Sequence, residues 1–153
     1  MNIIALDDLV QQIGNSRVTS DWVVIDQDRI NRFADITEDR QFIHVDEDAA
    51  KASPFGGTIA HGFLTLSMLT KLAEDAAFVL EGIEAGVNYG FNKIRFINPV
   101  HAGKTIRGHF SLTGHKQPKP GQHVLTYHVE VEVEGEDKPA LIAEWVTMQI
   151  TSA

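Results

Sequence analysis

The sequence of 153 residues contains no cysteine. Disulfide bonds, thiol catalysis and the cysteine-containing classes of zinc site are therefore excluded together. The sequence also lacks any run of about 18 uninterrupted apolar residues, the length that a membrane-spanning helix requires. We therefore expect no membrane insertion, and any chemistry must come from carboxylates, imidazoles, hydroxyls, amines or backbone amides.

Positive charge is scarce as well. Thirteen lysines and arginines stand against 21 aspartates and glutamates, which gives a formal net charge of -8. This charge disfavours a nonspecific nucleic-acid binder, because contacts to phosphate need a field of the opposite sign. Local pairs such as Lys93 with Arg95, or Lys116 with Lys119, could still hold a small phosphate-bearing ligand, although solvated surface charge is the commoner reason for such pairs.

Several common signals are missing. The N-terminal stretch meets Asp7 and Asp8 with no basic residue before them, which argues against a secretory signal and predicts a cytoplasmic protein. No G-x-S-x-G elbow, P-loop or G-x-G-x-x-G motif follows a predicted strand. Serine hydrolase, nucleotide hydrolase and dinucleotide-binding interpretations therefore have no support.

The periodicity of the chain predicts an α+β fold. A strand around residues 22–25 precedes a helix that Asp26 caps and that ends near Thr37, and a second helix capped by Asp46 follows. A long helix beginning at Gly62 is apolar on nearly all sides in its first turns, so we expect a sheet to wrap around it. Four later strands are predicted at residues 87–96, 105–112, 125–134 and 141–150, with turns such as 116–122 between them.

No repeat, low-complexity tract or linker interrupts this pattern, so we expect one domain spanning residues 1–153. Its antiparallel sheet should have about five strands around one long central helix. The last strand carries apolar residues on both faces and should be covered on both, one cover being a second subunit.

The segment "TEDRQFIHVD", residues 37–46, is the first candidate for chemistry. Asp39 and His44 stand five positions apart in a polar, irregular stretch. A carboxylate and a neutral imidazole that share one water can divide proton removal and proton delivery near neutral pH. Alternatively Asp39 caps a turn and His44 is a satisfied, partly buried histidine. His44 and Asp46 alone lack the three or four ligands of a metal site, so none is predicted.

The second candidate is the entry to the central helix, "GGTIAHGFLTL". The first amides of a helix have no partner within it, and at Gly62 no side chain shields the amide from a carbonyl oxygen. Glycine is also a common packing solution where a helix meets a sheet. His61 is expected to orient or pack rather than to catalyse.

Together these motifs resemble the MaoC-like, hydratase-2 group of hot-dog-fold proteins, and within it the branch related to nodulation protein N. The family signature runs roughly aromatic, spacer, small residue, Gly-Asp-x-Asn-Pro-aliphatic-His, then five residues and Ala or Ser. Its register is matched by Phe33, Thr37, Asp39, Ile43, His44 and Ala50. His61-Gly62 and "NKIRFINPVHAGKTI" match two further family segments, so the resemblance covers about residues 21–150. Departures are Glu38 in place of Gly, and Gln41-Phe42 in place of Asn-Pro.

The resemblance implies a homodimer that hydrates trans-2-enoyl-CoA to (R)-3-hydroxyacyl-CoA, or catalyses the reverse dehydration, without metal or redox cofactor. Asp39 and His44 would hold the water, and the Gly62 amide would stabilise the enolate oxygen. Substrate binding is assigned to Gln41, His61, Lys93 and Arg95.

Two other functions remain open. A hot-dog thioesterase usually places a carboxylate on or near the central helix, and here the first acidic residue after Gly62 is Glu74. A noncatalytic acyl-thioester-binding protein is the third interpretation, supported by the departures from the signature.

Overall fold

A six-stranded antiparallel sheet dominates the computed structural model, which describes residues 2–152 and only the main chain of Asp75. Its strands are β2 (Val18–Thr19), β3 (Val23–Ile25), β5 (Ile83–Phe96), β6 (Lys104–Lys119), β7 (Gln122–Val133) and β8 (Leu141–Thr151). β6, β7, β8 and β5 lie side by side in that order, and both β2 and β3 pair with β6. Two further strands, β1 (Asn2–Ile4) and β4 (Phe78–Leu80), form a separate parallel pair.

Within residues 2–152, six helical segments accompany the sheet. They are α1 (Leu6–Gln11), α2 (Gln27–Thr37), α3 (Phe42–Val45), α4 (Glu47–Lys51), α5 (Gly62–Ser67) and α6 (Leu69–Ala76). The two predicted caps are confirmed, since the Asp26 carboxylate accepts a hydrogen bond from the Arg29 amide and the Asp46 carboxylate accepts one from the Ala49 amide. Among residues 2–152, no helix combines the length and the hydropathy that a membrane span requires.

The core lies between the sheet and the last two helices. Inward side chains of β6 and β7 alternate with outward ones, and Phe110, Tyr127 and Val129 are fully buried. They pack in one cluster with Leu69 and Leu72 of α6. The predicted α+β arrangement, a sheet around a buried helix, is therefore confirmed.

The central helix differs from the prediction in three ways. It is two segments that meet at Met68, not one helix, although the Met68 amide still donates to the Leu64 carbonyl and the Met68 carbonyl still accepts from Leu72. It is shorter than the long helix expected and ends at Ala76, because Ala77 is extended and residues 78–80 form β4. Its first turn is not buried all round, since Phe63 is 67% exposed.

The strand predictions were mostly right in position and too short in length. β5 begins at residue 83 and not at 87, and β6 continues to Lys119, so only Pro120 and Gly121 join it to β7. About five strands were expected in the sheet. Among the described residues the main sheet has six, and β1 and β4 form a separate pair. The longer hairpin was missed because "KQPKPGQ" has the composition of a loop, while Lys116 and Lys119 still pair with β7 on either side of an irregularity.

Candidate active site

The polar segment 37–46 begins where α2 ends. Glu38 follows the helix in the left-handed conformation, with φ 62° and ψ 11°, and among the described residues it is the only one with a positive φ that is not glycine. This conformation turns the chain back from the helix at the residue before Asp39. The sequence predicted an irregular segment, and this was wrong in part, because residues 42–45 form the single turn α3.

His44 is held by the chain that leads into the central helix. Its Nδ1 lies 2.7 Å from the carbonyl oxygen of Ile59, and the Ile59 amide donates to the Ile43 carbonyl at 3.0 Å. Because a carbonyl can only accept, Nδ1 carries the proton and Nε2 of the neutral ring keeps its lone pair. His44 is therefore placed as an acceptor.

Burial lowers the pKa of His44 below its ordinary value of 6.5. The hydrogen bond to Ile59 opposes this shift, His61 lowers the pKa further, and the carboxylate of Asp39 raises it. Burial is the largest of these effects, so the ring is neutral near pH 7. The lone pair of Nε2 is therefore available to take a proton.

His61 lies beneath His44 and beside Asp39. The two imidazole rings stack with centroids 3.7 Å apart, and Phe33 lies against His61 at 5.0 Å. Nε2 of His61 donates to the main-chain carbonyl of Asp39 at 2.9 Å. Its Nδ1 is buried and has no hydrogen-bond partner among the described residues.

These contacts gather Asp39, His44 and His61 into one group. One ring nitrogen of each histidine and a carboxylate oxygen of Asp39 lie within 4.8 Å of one another, with Asp39 exposed and both histidines buried. Two histidines and a carboxylate are also a known metal-ligand set. Here, however, the rings are stacked only 26° from parallel, so their in-plane lone pairs run alongside each other rather than meet at one ion. The arrangement suits proton transfer to and from a small polar molecule better than metal coordination.

Gly62 is the first residue of α5, and its Cα faces the ring of Phe96 from β5. A Cβ at this position would lie 3.1–3.3 Å from three atoms of that ring. A cleft of about 250 Å³ opens beside it, lined in part by Ile59, Thr65 and Asn98. The absence of a side chain at Gly62 therefore serves a close approach, and it leaves the amide at the end of the helix uncovered.

The other predicted substrate-binding residues do not join this group in the described contacts. Gln41 precedes α3 without a capping hydrogen bond from its side chain, and it is exposed. Lys93 and Arg95 share one face of β5 with a shallow surface that includes Glu144. Since side chains alternate along a strand, they face away from the side on which Phe96 meets Gly62. Their roles stay predictions.

Sequence reasoning missed Gln27, the first residue of α2, whose side chain hydrogen-bonds to two segments of the site. Its side-chain amide donates to the His44 carbonyl at 2.7 Å, and its Oε1 accepts a hydrogen bond from the Thr58 hydroxyl at 2.5 Å. Gln27 thereby joins the two segments that carry His44 and His61. No local pattern could have revealed this, because Gln27 reads as an ordinary first residue of a helix.

A family model described as "MaoC like domain" matches residues 8–135. Nodulation protein N of Rhizobium meliloti (strain 1021) is 44% identical over 149 residues, covering 97% of this chain and 92% of that protein. 3-Hydroxyacyl-thioester dehydratase Z of Mycobacterium tuberculosis (strain ATCC 25618 / H37Rv) is 43% identical over 143 residues, covering 94% of each. The matches extend over nearly the whole chain.

Solved structures agree in fold. A monoamine oxidase regulatory protein from Archaeoglobus fulgius superposes with a TM-score of 0.80 at 23% identity, covering 100% of this chain and 98% of the other. The (R)-hydratase from A. caviae involved in PHA biosynthesis has a TM-score of 0.70 at 20% identity, covering 86% and 92%. The expected hot-dog fold is confirmed, and the chain belongs to the family of MaoC-like dehydratase domains.

Proposed function

We propose that this protein is an (R)-specific hydro-lyase that adds water to a trans-2-enoyl-CoA, or removes it from the (R)-3-hydroxyacyl-CoA, in the cytoplasm. The observation that carries the proposal is the neutral His44 held beside the exposed carboxylate of Asp39. The dehydratase relative at 43% identity supports a thioester substrate. The stereochemistry and the CoA carrier come from the family resemblance.

In hydration, Asp39 and His44 hold the water molecule next to C3 of the enoyl thioester. The water oxygen bonds to C3 while one water proton passes to the pair, and the electrons of the double bond move toward the thioester oxygen. The pair then returns a proton to C2, so that H and OH are added and no proton is gained or lost. Dehydration is the same sequence in reverse.

The negative charge that develops on the thioester oxygen needs a donor. We assign this role to the Gly62 amide, which lies uncovered at the start of α5 beside the cleft under Phe96. A fixed backbone amide costs no reorganisation during the reaction, which is why such donors lower the barrier. Gln41, Lys93 and Arg95 remain assigned to the rest of the substrate.

A thioesterase is the second candidate and has less support. It needs a carboxylate that directs water at the thioester carbonyl. The first acidic side chain after Gly62 is Glu74, which lies on α6, is exposed, and pairs with Lys71. The carboxylate near the start of α5 is instead Asp39, paired with a histidine, and this combination favours water addition.

The proposal includes a homodimer that shares acyl-CoA at its boundary. β5 ends the strand order of the sheet, and on it Val87, Tyr89 and Phe96 are 46%, 63% and 49% exposed. An edge strand with exposed apolar side chains is suited to pairing with a second copy.

The test is loss of the enoyl-thioester absorbance when the protein meets crotonyl-CoA and a longer trans-2-enoyl-CoA. Asp39→Asn and His44→Ala should each lower kcat by about 100-fold or more, because each removes one half of the proton transfer. Circular dichroism checks that both variants fold, and sedimentation gives the assembly. Turnover that survives both changes would rule out the assigned pair, and a monomer of 16.9 kDa would rule out the shared site.

A further inference from the structure

His61 makes two contacts that the reaction proposed above does not by itself explain. Its Nε2 donates to the main-chain carbonyl of Asp39, and its ring stacks against His44 at 3.7 Å. One side chain therefore touches both members of the proposed pair, each by a different part of the imidazole.

A substrate-binding role, expected from the sequence, fits these contacts poorly. His61 is 2% exposed, with Nε2 already engaged by Asp39 and Nδ1 buried without a described partner. A buried nitrogen without a partner costs about 1–3 kcal/mol of stability. A substrate cannot reach either nitrogen in this arrangement, so the side chain is not placed to bind one.

We propose that His61 is a positioning residue, which fixes the main chain of Asp39 through Nε2–H and fixes the ring of His44 by stacking. The inference rests on the proposed function for its catalytic consequence. It assigns to His61 no contact with the reacting atoms.

The two members of the pair depend on His61 unequally. His44 is also anchored by Ile59 at Nδ1 and by Gln27 at its carbonyl. Asp39 is exposed and follows the left-handed Glu38, and among the described contacts its main-chain carbonyl is held by the hydrogen bond from the His61 side chain. Losing that tether should therefore displace Asp39 relative to a His44 that stays in place.

Two substitutions separate the two contacts. His61→Phe keeps a flat ring beneath His44 and removes the donor to Asp39, together with the unpartnered Nδ1. His61→Gln can place an amide donor where Nε2 lies and removes the ring. Both are compared with wild type for kcat, KM, the pH profile of kcat/KM and Tm, on the full chain.

We expect His61→Phe to lower kcat at least tenfold with KM changed less than threefold, while its Tm is equal to or above that of wild type. His61→Gln should retain more of the kcat, because the tether to Asp39 is restored. A raised KM with unchanged kcat would overturn the proposal in favour of substrate binding. Loss of kcat only in proportion to loss of folded protein, in both variants, would overturn it in favour of a purely structural role.

The charge state of His44 gives a second readout. The titratable groups that act on His44 are His61, which lowers its pKa, and Asp39, which raises it. His61→Gln removes the imidazole and keeps Asp39 tethered, so it should raise the pKa of His44, and the neutral form would be lost at a higher pH as the solution is acidified. His61→Phe also lets Asp39 move away, which removes the effect that raises this pKa. We expect the acidic limb of kcat/KM to lie below pH 6.5 in wild type, and to lie at a higher pH in His61→Gln than in His61→Phe.

The same titration followed by NMR of the His44 imidazole requires no turnover. If wild type hydrates no thioester, the proposed function fails, while a His44 pKa that is higher in His61→Gln than in His61→Phe still supports the positioning role. Equal pKa values of His44 in the two variants, with Asp39 main-chain signals unchanged from wild type, would overturn the inference whatever the activity.

Discussion

The β6–β7 hairpin and the segment 37–46 are built on opposite principles. In the hairpin every second side-chain position is buried across residues 106–112 and 123–133, so each residue's environment there follows from its parity along the strand. In the segment a left-handed residue, an exposed carboxylate and a buried imidazole stand within seven positions. Their places are set by partners elsewhere in the chain: Gln27, Ile59 and His61.

The hairpin therefore mainly stabilises the fold, and the segment carries the residues to which we assign the proposed activity. The hairpin contributes to the stability of the fold through apolar side chains that are buried and closely packed. The segment contains polar groups whose burial costs free energy. The hydrogen bonds from Gln27 and His61 and to Ile59 offset that cost and hold the segment in one conformation. Substitutions in the hairpin should therefore change stability, and substitutions at the site should change turnover.

The largest effect is expected at Gly62. Gly62→Pro removes the amide proposed as the enolate donor, and proline suits the first position of a helix, where His61 before it is already extended with φ -58° and ψ 138°. Loss of one such donor lowers kcat by about 100- to 1000-fold. The measurement is kcat for hydration of crotonyl-CoA.

Gly62→Ala is the matched control, because it adds a side chain and keeps the amide. Its Cβ would lie 3.1–3.3 Å from the Phe96 ring, which is half-exposed and free to shift by a few tenths of an ångström. We expect kcat to fall much less in Gly62→Ala than in Gly62→Pro. Equal losses in the two variants would show that crowding at Phe96, and not the missing donor, lowers the rate.

For a glycine in the hairpin, Gly108, we expect a loss of stability rather than a loss of turnover. A Cβ at Gly108 would meet Phe110 at 2.6 Å and Leu72 at 3.2 Å. Phe110 is fully buried against Tyr127 and Trp145, so it cannot move aside. Gly108→Ala should lower the free energy of unfolding by about 1–3 kcal/mol, as overpacked cores do.

Gly114→Ala on the same strand is the control for that variant. Its Cβ would have an ordinary contact of 3.7 Å with Thr126, so its stability should equal or exceed that of wild type. Urea unfolding measures both variants, with kcat per folded molecule in parallel. A Gly108→Ala protein as stable as Gly114→Ala would mean that the core is looser than the packing indicates.

The sequence predicted the hairpin region well, because the alternation of apolar and polar residues directly records which face is buried. It predicted the central helix less well, since a run such as "GFLTLSML" is compatible with burial on every side. Phe63 is exposed, and the position of β5 and its Phe96 shows which side of the helix is open. The strand β4 was missed because its partner β1 lies at the other end of the first half of the chain.

The site was predicted from motifs and not from local pattern. Asp39, His44 and Gly62 became candidates through their chemistry and their place in two short segments, and their roles came from the family signature. The fold brings His44 against His61, the residue preceding Gly62. The anchors were invisible for a physical reason. Gln27 and the carbonyl of Ile59 act through contacts 17 and 15 residues away in the chain, which no periodicity encodes.

The smallest expected effect concerns Glu38, where this chain has glutamate and the family signature has glycine. A side chain in the left-handed region costs about 1–2 kcal/mol, while glycine loses about 0.5–1 kcal/mol through the freedom of the unfolded chain. Glu38→Gly should therefore raise the free energy of unfolding by about 0.5–1 kcal/mol. Glu38→Ala removes the charge and keeps the Cβ, so the difference between the two variants in urea isolates the backbone conformation. A glycine variant less stable than the alanine variant would show that Glu38 is not strained. A glycine variant that is more stable but slower would show that a stiff turn before Asp39 contributes to turnover.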